Sequence, residues 1–310
     1  MQLAGCVSSP SFTTPKLQLW EHRLVGRIWD VKQQTFIDQA TLINRALDSE
    51  YLLLGEQHDN LVHHQHQTWV IQTLAKAGRQ ASVAFEMIDN YQGARLAKQP
   101  ITSVDQLIAV LNRSKTNWQY EQHYKSLFAA ALAAGYRIDS ANLNSKRLMH
   151  TVKQGEDKLP AVYQRMLAKT PLSAQQHDAL RLDIIESHCH MLDEKTSRNM
   201  VLAQRLRDAI MAKSLLRSKA QLKVLIAGIG HVRNDRAVPL YLHNNRGVQA
   251  HDDSILTIGF IEVDNGLTEV SAYAERWGSH TLPFDIAWFT PKVEREDACA
   301  KLRQHFKRKD

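Results

Sequence analysis

The sequence predicts an α/β fold: a mainly parallel central sheet flanked by helices, with a smaller all-helical insertion domain. Three observations predict it. Runs at 51–54 (YLLL), 82–85 (SVAF), 136–140 (YRIDS) and 222–227 (LKVLIA) are short and largely apolar, as strands covered on both faces are. Helix-patterned segments separate them, the spacing that right-handed crossovers between parallel strands need. The interval 144–220 is long, charged and helix-patterned, with Pro160 and Pro171 as punctuation and no strand-like run.

Taken in order, residues 1–20 read as a polar tether and 27–37 as a strand pair extending one sheet edge. After the first apolar run, 60–77 places Val62, His66, Trp69, Val70, Thr73 and Ala77 on one helical face, and Gly78 stops it. Helices are expected again at 103–111 and 123–134, and Gly135 precedes the third strand. Strand-like runs at 255–263 and 281–289 complete the sheet. The domains are therefore 21–143 with 221–310 for the sheet, and 144–220 for the insertion.

Composition narrows the function. The 310 residues are 44% hydrophobic and 23% charged, ordinary globular values. No run approaches the roughly 18 apolar residues of a membrane helix. Lys+Arg 39 against Asp+Glu 32 gives +7, spread through the helices and ending in a basic KLRQHFKRKD tail. No nucleic-acid motif or aromatic stacking pattern accompanies the charge, so no nucleic-acid partner is expected. The opening MQLAGCVSSPSFTTP contains Leu3-Ala4-Gly5-Cys6, which resembles a bacterial lipoprotein signal box ahead of a Pro-containing tether. Five residues before Cys6 are too few for a signal peptide, so translation is expected to begin upstream. Val7 in place of Asp favours the outer membrane. Cys189 and Cys299 lie in no CxxC pair; an oxidising periplasm would let them pair, but nothing in the sequence brings them together, and two buried free thiols are the preferred expectation.

The chemistry gathers at one sheet edge. Ligands of open α/β sheets bind beyond the carboxyl ends of the strands. Glu56 and His58 follow the first strand, Glu86 ends the second, Asn142 follows the third and His231 the fourth. Both histidines belong to Gly-x-x-His, Gly55–His58 and Gly228–His231, in which each glycine is expected to turn the backbone off its strand. Glu56, His58, Glu86 and His231 are either a donor set for a divalent metal or a polar cluster satisfied by itself. His63, His64 and His66 are read as solvated or core histidines rather than a second site.

LLLGEQHDNLVHHQ, VAFEM, IDSANLNSKRL, SHCHML, AQRLRDAIMAK and LIAGIGHVRND occur in this order over roughly 45–240. Together they resemble the ChaN family of haem-binding lipoproteins, within the Tiki and TraB superfamily of paired Gly-x-x-His motifs and a strand-ending Glu. The resemblance implies a periplasm-facing outer-membrane lipoprotein of iron uptake, in which a homodimer encloses haem and a tyrosine coordinates the iron. A phenolate is a hard anionic donor suited to ferric haem. Tyr163, the only tyrosine of the insertion, is the candidate ligand by location, with Tyr120 and Tyr124 as alternatives. Leu159, Val162, Met166 and Leu167 would face the porphyrin, and Arg165 and Lys169 its propionates. His177, His188 and His190 would meet propionates or serve as axial ligands; His190 stands where the family pattern more often has Gly. The Tiki branch supports an alternative, a metal-dependent hydrolase or peptidase using Glu56, His58, Glu86 and His231.

Overall fold

The computed structural model describes residues 16–114, 116–245, 254–297 and 299–300. Cys6 and the basic tail beyond 300 lie outside them. Among the described residues the strands are β1 (Leu17–Gln18), β2 (Ile28–Asp30), β3 (Thr35–Ile37), β4 (Tyr51–Glu56), β5 (Ala81–Asp89), β6 (Arg137–Asn142), β7 (Leu222–Gly228), β8 (Ile255–Glu262), β9 (Ile286–Thr290) and β10 (Lys292–Val293). The helices are α1 (Gln39–Asp48), α2 (Leu61–Lys76), α3 (Asn90–Leu96), α4 (Val104–Leu111), α5 (Lys125–Ala133), α6 (Ser145–Lys153), α7 (Ala161–Lys169), α8 (Ala174–Ser187), α9 (Glu194–Arg217), α10 (Val238–Asn245) and α11 (Val270–Arg276).

Eight strands form one sheet in the order β3-β2-β9-β8-β4-β7-β5-β6, parallel from β9 to β6. The β2–β3 hairpin adds antiparallel to β9, the edge extension that 27–37 predicts. Strand β4 is buried along its whole length. Tyr51 and Leu53 enter one apolar cluster, with Leu206 of α9 and Tyr241 of α10; Leu52 and Leu54 enter the other, with Val70 of α2 and Phe128 of α5. Successive side chains thus feed opposite cores, which is why the run is apolar throughout rather than alternating.

Two expectations shift. Strand β9 begins at Ile286, not at 281, because the Asp285 carboxylate accepts from the backbone N–H (2.7 Å) and hydroxyl (2.9 Å) of Thr257 in place of a ladder. The buried face of α2 carries Val62, His63, His64, Gln67, Val70, Ile71 and Leu74, a wider arc than predicted. The helix is wedged between the sheet, α1 and α5. His66 is only partly buried and stacks on Trp288 at 4.1 Å.

Between β6 and β7 the chain runs through α6 to α9. Leu148, Leu159, Met166 and Leu167 share the apolar cluster that holds Leu53 and Leu225 of the sheet. The expectation of free thiols is corrected: Cys189, just past α8, and Cys299 form a disulfide across 110 residues. No local pattern could signal a pairing so distant. It arises because Arg295 binds Asp59 and Glu262 and leads the chain after β10 toward α8.

Candidate functional site

The carboxyl ends of β4, β7 and β5 lie side by side, and their polar residues interlock. Glu86 of β5 accepts the backbone N–H of Gly228 at 2.7 Å. The same oxygen lies 3.7 Å from His58 Nε2, and the other lies 3.6 Å from His231 Nε2. His58 Nδ1 reaches Glu56 at 2.9 Å, and His231 Nδ1 reaches Asp208 of α9 at 2.6 Å. The result is an alternating series, Asp208–His231–Glu86–His58–Glu56, buried except at His58.

Two further groups close on Glu56. The Tyr124 hydroxyl donates to it at 2.7 Å, and His64 Nε2 lies 3.4 Å from its second oxygen. Tyr124 comes from a π-helical turn, Tyr120–Tyr124, directly ahead of α5. That turn also delivers Tyr120, whose hydroxyl donates to the Met87 carbonyl at 2.6 Å and whose pKa burial pushes up to about 12.

Charge is distributed accordingly. Burial alone would push His231 down, but Glu86 and Asp208 push it up to about 10. Burial would raise Glu86, but His231, His58 and the Gly228 N–H hold it well below the usual carboxylate range. Burial opposes His58 in the same way, and Glu86 and Glu56 prevail to raise it. Burial also opposes Glu56, and His64 and His58 hold it low. For Asp208 burial prevails over His231 and raises its carboxyl. Tyr124 is pushed well above 10 by burial and by Glu56, and stays a phenol.

This geometry bears on the two readings of the rim. Each nitrogen of His58 and His231 faces a carboxylate, so these donor atoms are engaged with one another. Among the described residues no three His, Cys, Asp or Glu side chains are arranged to hold a metal ion. The four residues Glu56, His58, Glu86 and His231 do come together, as a network in which imidazoles and carboxylates alternate. Asp208 was missed. Its signal was a lone carboxylate on the apolar stripe of AQRLRDAIMAK, between Leu206 and Ala209, both fully buried.

The paired glycines also serve differently than expected. Gly55 lies within β4 without a positive φ. A Cβ there would stand 2.2 Å from Val232 Cγ2 and 3.1 Å from the Ile229 backbone. At Gly228 a Cβ would stand 2.9 Å from His58 Nε2. Each motif's glycine makes room for the other motif, so the requirement is close approach rather than a turn.

The residues proposed for haem are not brought together. Tyr124 and Tyr120 are fully buried and hydrogen-bonded inside, which removes them as ligands for an external group. Tyr163 on α7 is half-buried, with Lys213 Nζ 4.8 Å above its ring. It lines a cleft of ≈ 330 Å³ with Arg137, Lys213, Arg217, Leu143 and Ile210. Leu159, Met166 and Leu167 point into the core and offer no face to a porphyrin. Arg165 is exposed on α7. His177 lies on α8, His188 caps it with Nδ1 2.7 Å from the Ile184 carbonyl, and His190 is exposed beyond it. No contact joins these three to Tyr163 among the described residues. Tyr91, unremarked in the sequence, is 46% exposed at the start of α3, where Arg147 reaches its hydroxyl at 3.4 Å. Of eight tyrosines, only Tyr91 and Tyr163 are not buried.

Comparison with known proteins places this architecture. A solved structure described as cofacial heme binding to ChaN of Campylobacter jejuni superposes with a TM-score of 0.65 at 19% identity, over 84% of this chain and 95% of that one. An erythromycin esterase, EreC, in its open conformation gives 0.47 at 11% identity, over 89% and 99% of the two chains. The type III effector HopBA1 gives 0.45 at 14%, over 82% and 93%. No curated protein matches significantly. Residues 42–242 match the family described as haem-binding uptake, Tiki superfamily, ChaN, and the chain belongs to that family.

Proposed function

We propose that this protein binds haem for bacterial iron uptake, as a homodimer anchored through an acylated Cys6 to the periplasmic face of the outer membrane. Family membership supports haem as the ligand. The observation that carries the site is the setting of Tyr163. Its hydroxyl is unengaged by hydrogen bonds among the described residues, and its cleft is bordered by the cations Lys213 and Arg217, with Arg137 paired to Asp139 beside them. Burial raises this phenol, while Arg217 and Arg147 oppose that rise. Such a donor set fits ferric haem: a phenolate for the iron and cations for two carboxylates. Bound haem would supply the iron chemistry; the chain supplies the donor, the charge complement and the apolar wall of Leu143 and Ile210. The metal-dependent hydrolase has no donor set among the described residues to rest on.

Haemin titration of the full chain, followed by absorption, tests the reading. A high-spin ferric spectrum is expected, lost in Tyr163→Phe and kept in Tyr91→Phe. The reverse pattern would move the ligand to Tyr91, and retention in both variants would reject tyrosine ligation. Mass spectrometry of the native protein should show lipid on Cys6, and Cys6→Ser should release it from the membrane. Sedimentation with and without haemin tests the dimer.

A further inference from the structure

We propose that the cleft above the carboxyl ends of β5 and β6 is a second binding site, for a small molecule carrying a flat unsaturated ring and a phosphate or carboxylate group. The cleft has a volume of ≈ 620 Å³ and is distinct from the Tyr163 cleft, which it meets at Asn142 and Leu143. That size suits a nucleotide-sized ligand. Glu86 forms part of its floor, held rigid by the Gly228 N–H and the two rim histidines.

Charge is the first argument. Arg95, Arg113 and Lys146 line the cleft, and none forms an ion pair among the described residues. The one lining aspartate, Asp89, is already committed to the backbone N–H groups of Tyr91 and Gln92 and to Asn144. Arg95 is held in position by a hydrogen bond to Ser114 at 2.9 Å. Three cations without an ion pair thus border the concavity beside Asp89 and Glu86, and an anion set against the cations would gain charge-assisted hydrogen bonds.

Aromatic lining is the second argument. Tyr91 is one of three large apolar side chains left exposed among the described residues. Trp118 stands edge-on to His58 at 4.8 Å, which fixes its ring at the cleft wall. Exposed aromatic faces beside cations are the usual complement of a flat anionic ring. Asn117, Asn144 and Ser145 add hydrogen-bonding groups at the mouth.

Calorimetric titration of the full chain with adenosine monophosphate, adenosine and inorganic phosphate tests this, with and without bound haemin. Adenosine monophosphate should bind once per chain, about tenfold or more tighter than either fragment. The double variant Arg113→Glu/Lys146→Glu, both positions exposed, should lose binding at least about tenfold while keeping its circular dichroism. Trp118→Ala should weaken the nucleotide and leave phosphate unchanged. Absence of nucleotide binding, or indifference to the charge reversal, would overturn the proposal. Phosphate binding as tightly as the nucleotide would overturn its aromatic half. Displacement of the nucleotide by haemin would assign the cleft to haem and remove the second site. The nucleotide arms stand whether or not haem binds.

Discussion

Asp208, in the middle of α9, holds Nδ1 of His231 at 2.6 Å, and both side chains are buried. With Gln204 of the same helix, whose amide also reaches His231 at 3.3 Å, this pair joins the helical interval to the carboxyl edge of the sheet. It also orients His231 so that Nε2 faces Glu86 of β5, which in turn binds the backbone of β7. One charge network therefore ties together three strands and a helix that are distant in sequence.

Removing one member should be costly. Asp208→Asn leaves a buried imidazolium short of a carboxylate, for which about 3–5 kcal/mol of destabilisation is expected. His58→Ala should cost less, because its side chain is 37% exposed. Denaturant unfolding of His58→Ala, His231→Ala and the double variant should show coupling of roughly 0.5–3 kcal/mol. Strict additivity would mean that the rim residues do not act as one unit.

The pH dependence follows from the directions of the shifts. His231 rises from 6.5 to about 10 on folding, so its stabilisation is complete below 6.5 and is lost as pH climbs toward 10. Glu86 lies below its ordinary 4.5 in the folded protein, so its contribution is complete above 4.5 and is lost as pH falls below it. Stability should therefore peak between these limits. Urea midpoints across pH 6 to 10 should decline in the native protein and flatten in His231→Gln; an equal decline in both would assign the alkaline loss to another group.

How much of this was legible depended on whether the signal was local. Strand β4 announced itself because both faces are covered and every residue is apolar up to Glu56. Glu86, Glu56, His58 and His231 were placed correctly because strand ends on one parallel sheet share an edge. Asp208 was hidden, since its partner lies 23 residues on and a helical carboxylate is ordinarily a surface group. The Cys189–Cys299 pairing was hidden for the same reason at greater range. The burial of Tyr124 depends on a π-helical turn, and such turns carry no periodic signature.

Close approach at the two glycines gives a sharper test. Gly228→Ala puts a methyl 2.9 Å from His58 Nε2 and should displace that ring from Glu86. Gly55→Ala meets backbone at Ile229 and should be the more destabilising of the two, by about 1–3 kcal/mol or more. In Gly228→Ala the His58 imidazole proton signals should move in NMR while those of His63, which is bonded to Gln57 and Thr290, stay put. Unchanged His58 signals would show that the rim tolerates the methyl.

The disulfide provides the last test. Cys189 and Cys299 close a loop of 110 residues, which in the chain-entropy account removes about 4–5 kcal/mol of freedom from the unfolded state, with about 2–5 typical in practice. The bond also fixes the segment after β10, where Arg295 pairs with Asp59 immediately beyond His58. Cys299→Ser should therefore lower the melting temperature, and a dithiol reductant should lower that of the native protein to the same value while leaving the variant unmoved. Arg295→Ala should loosen the same segment, and its effect should shrink once Cys299 is replaced, because both act on one strap. A reductant effect that persists in Cys299→Ser would place the redox sensitivity elsewhere, and independent effects of Arg295 and Cys299 would separate the clamp from the disulfide.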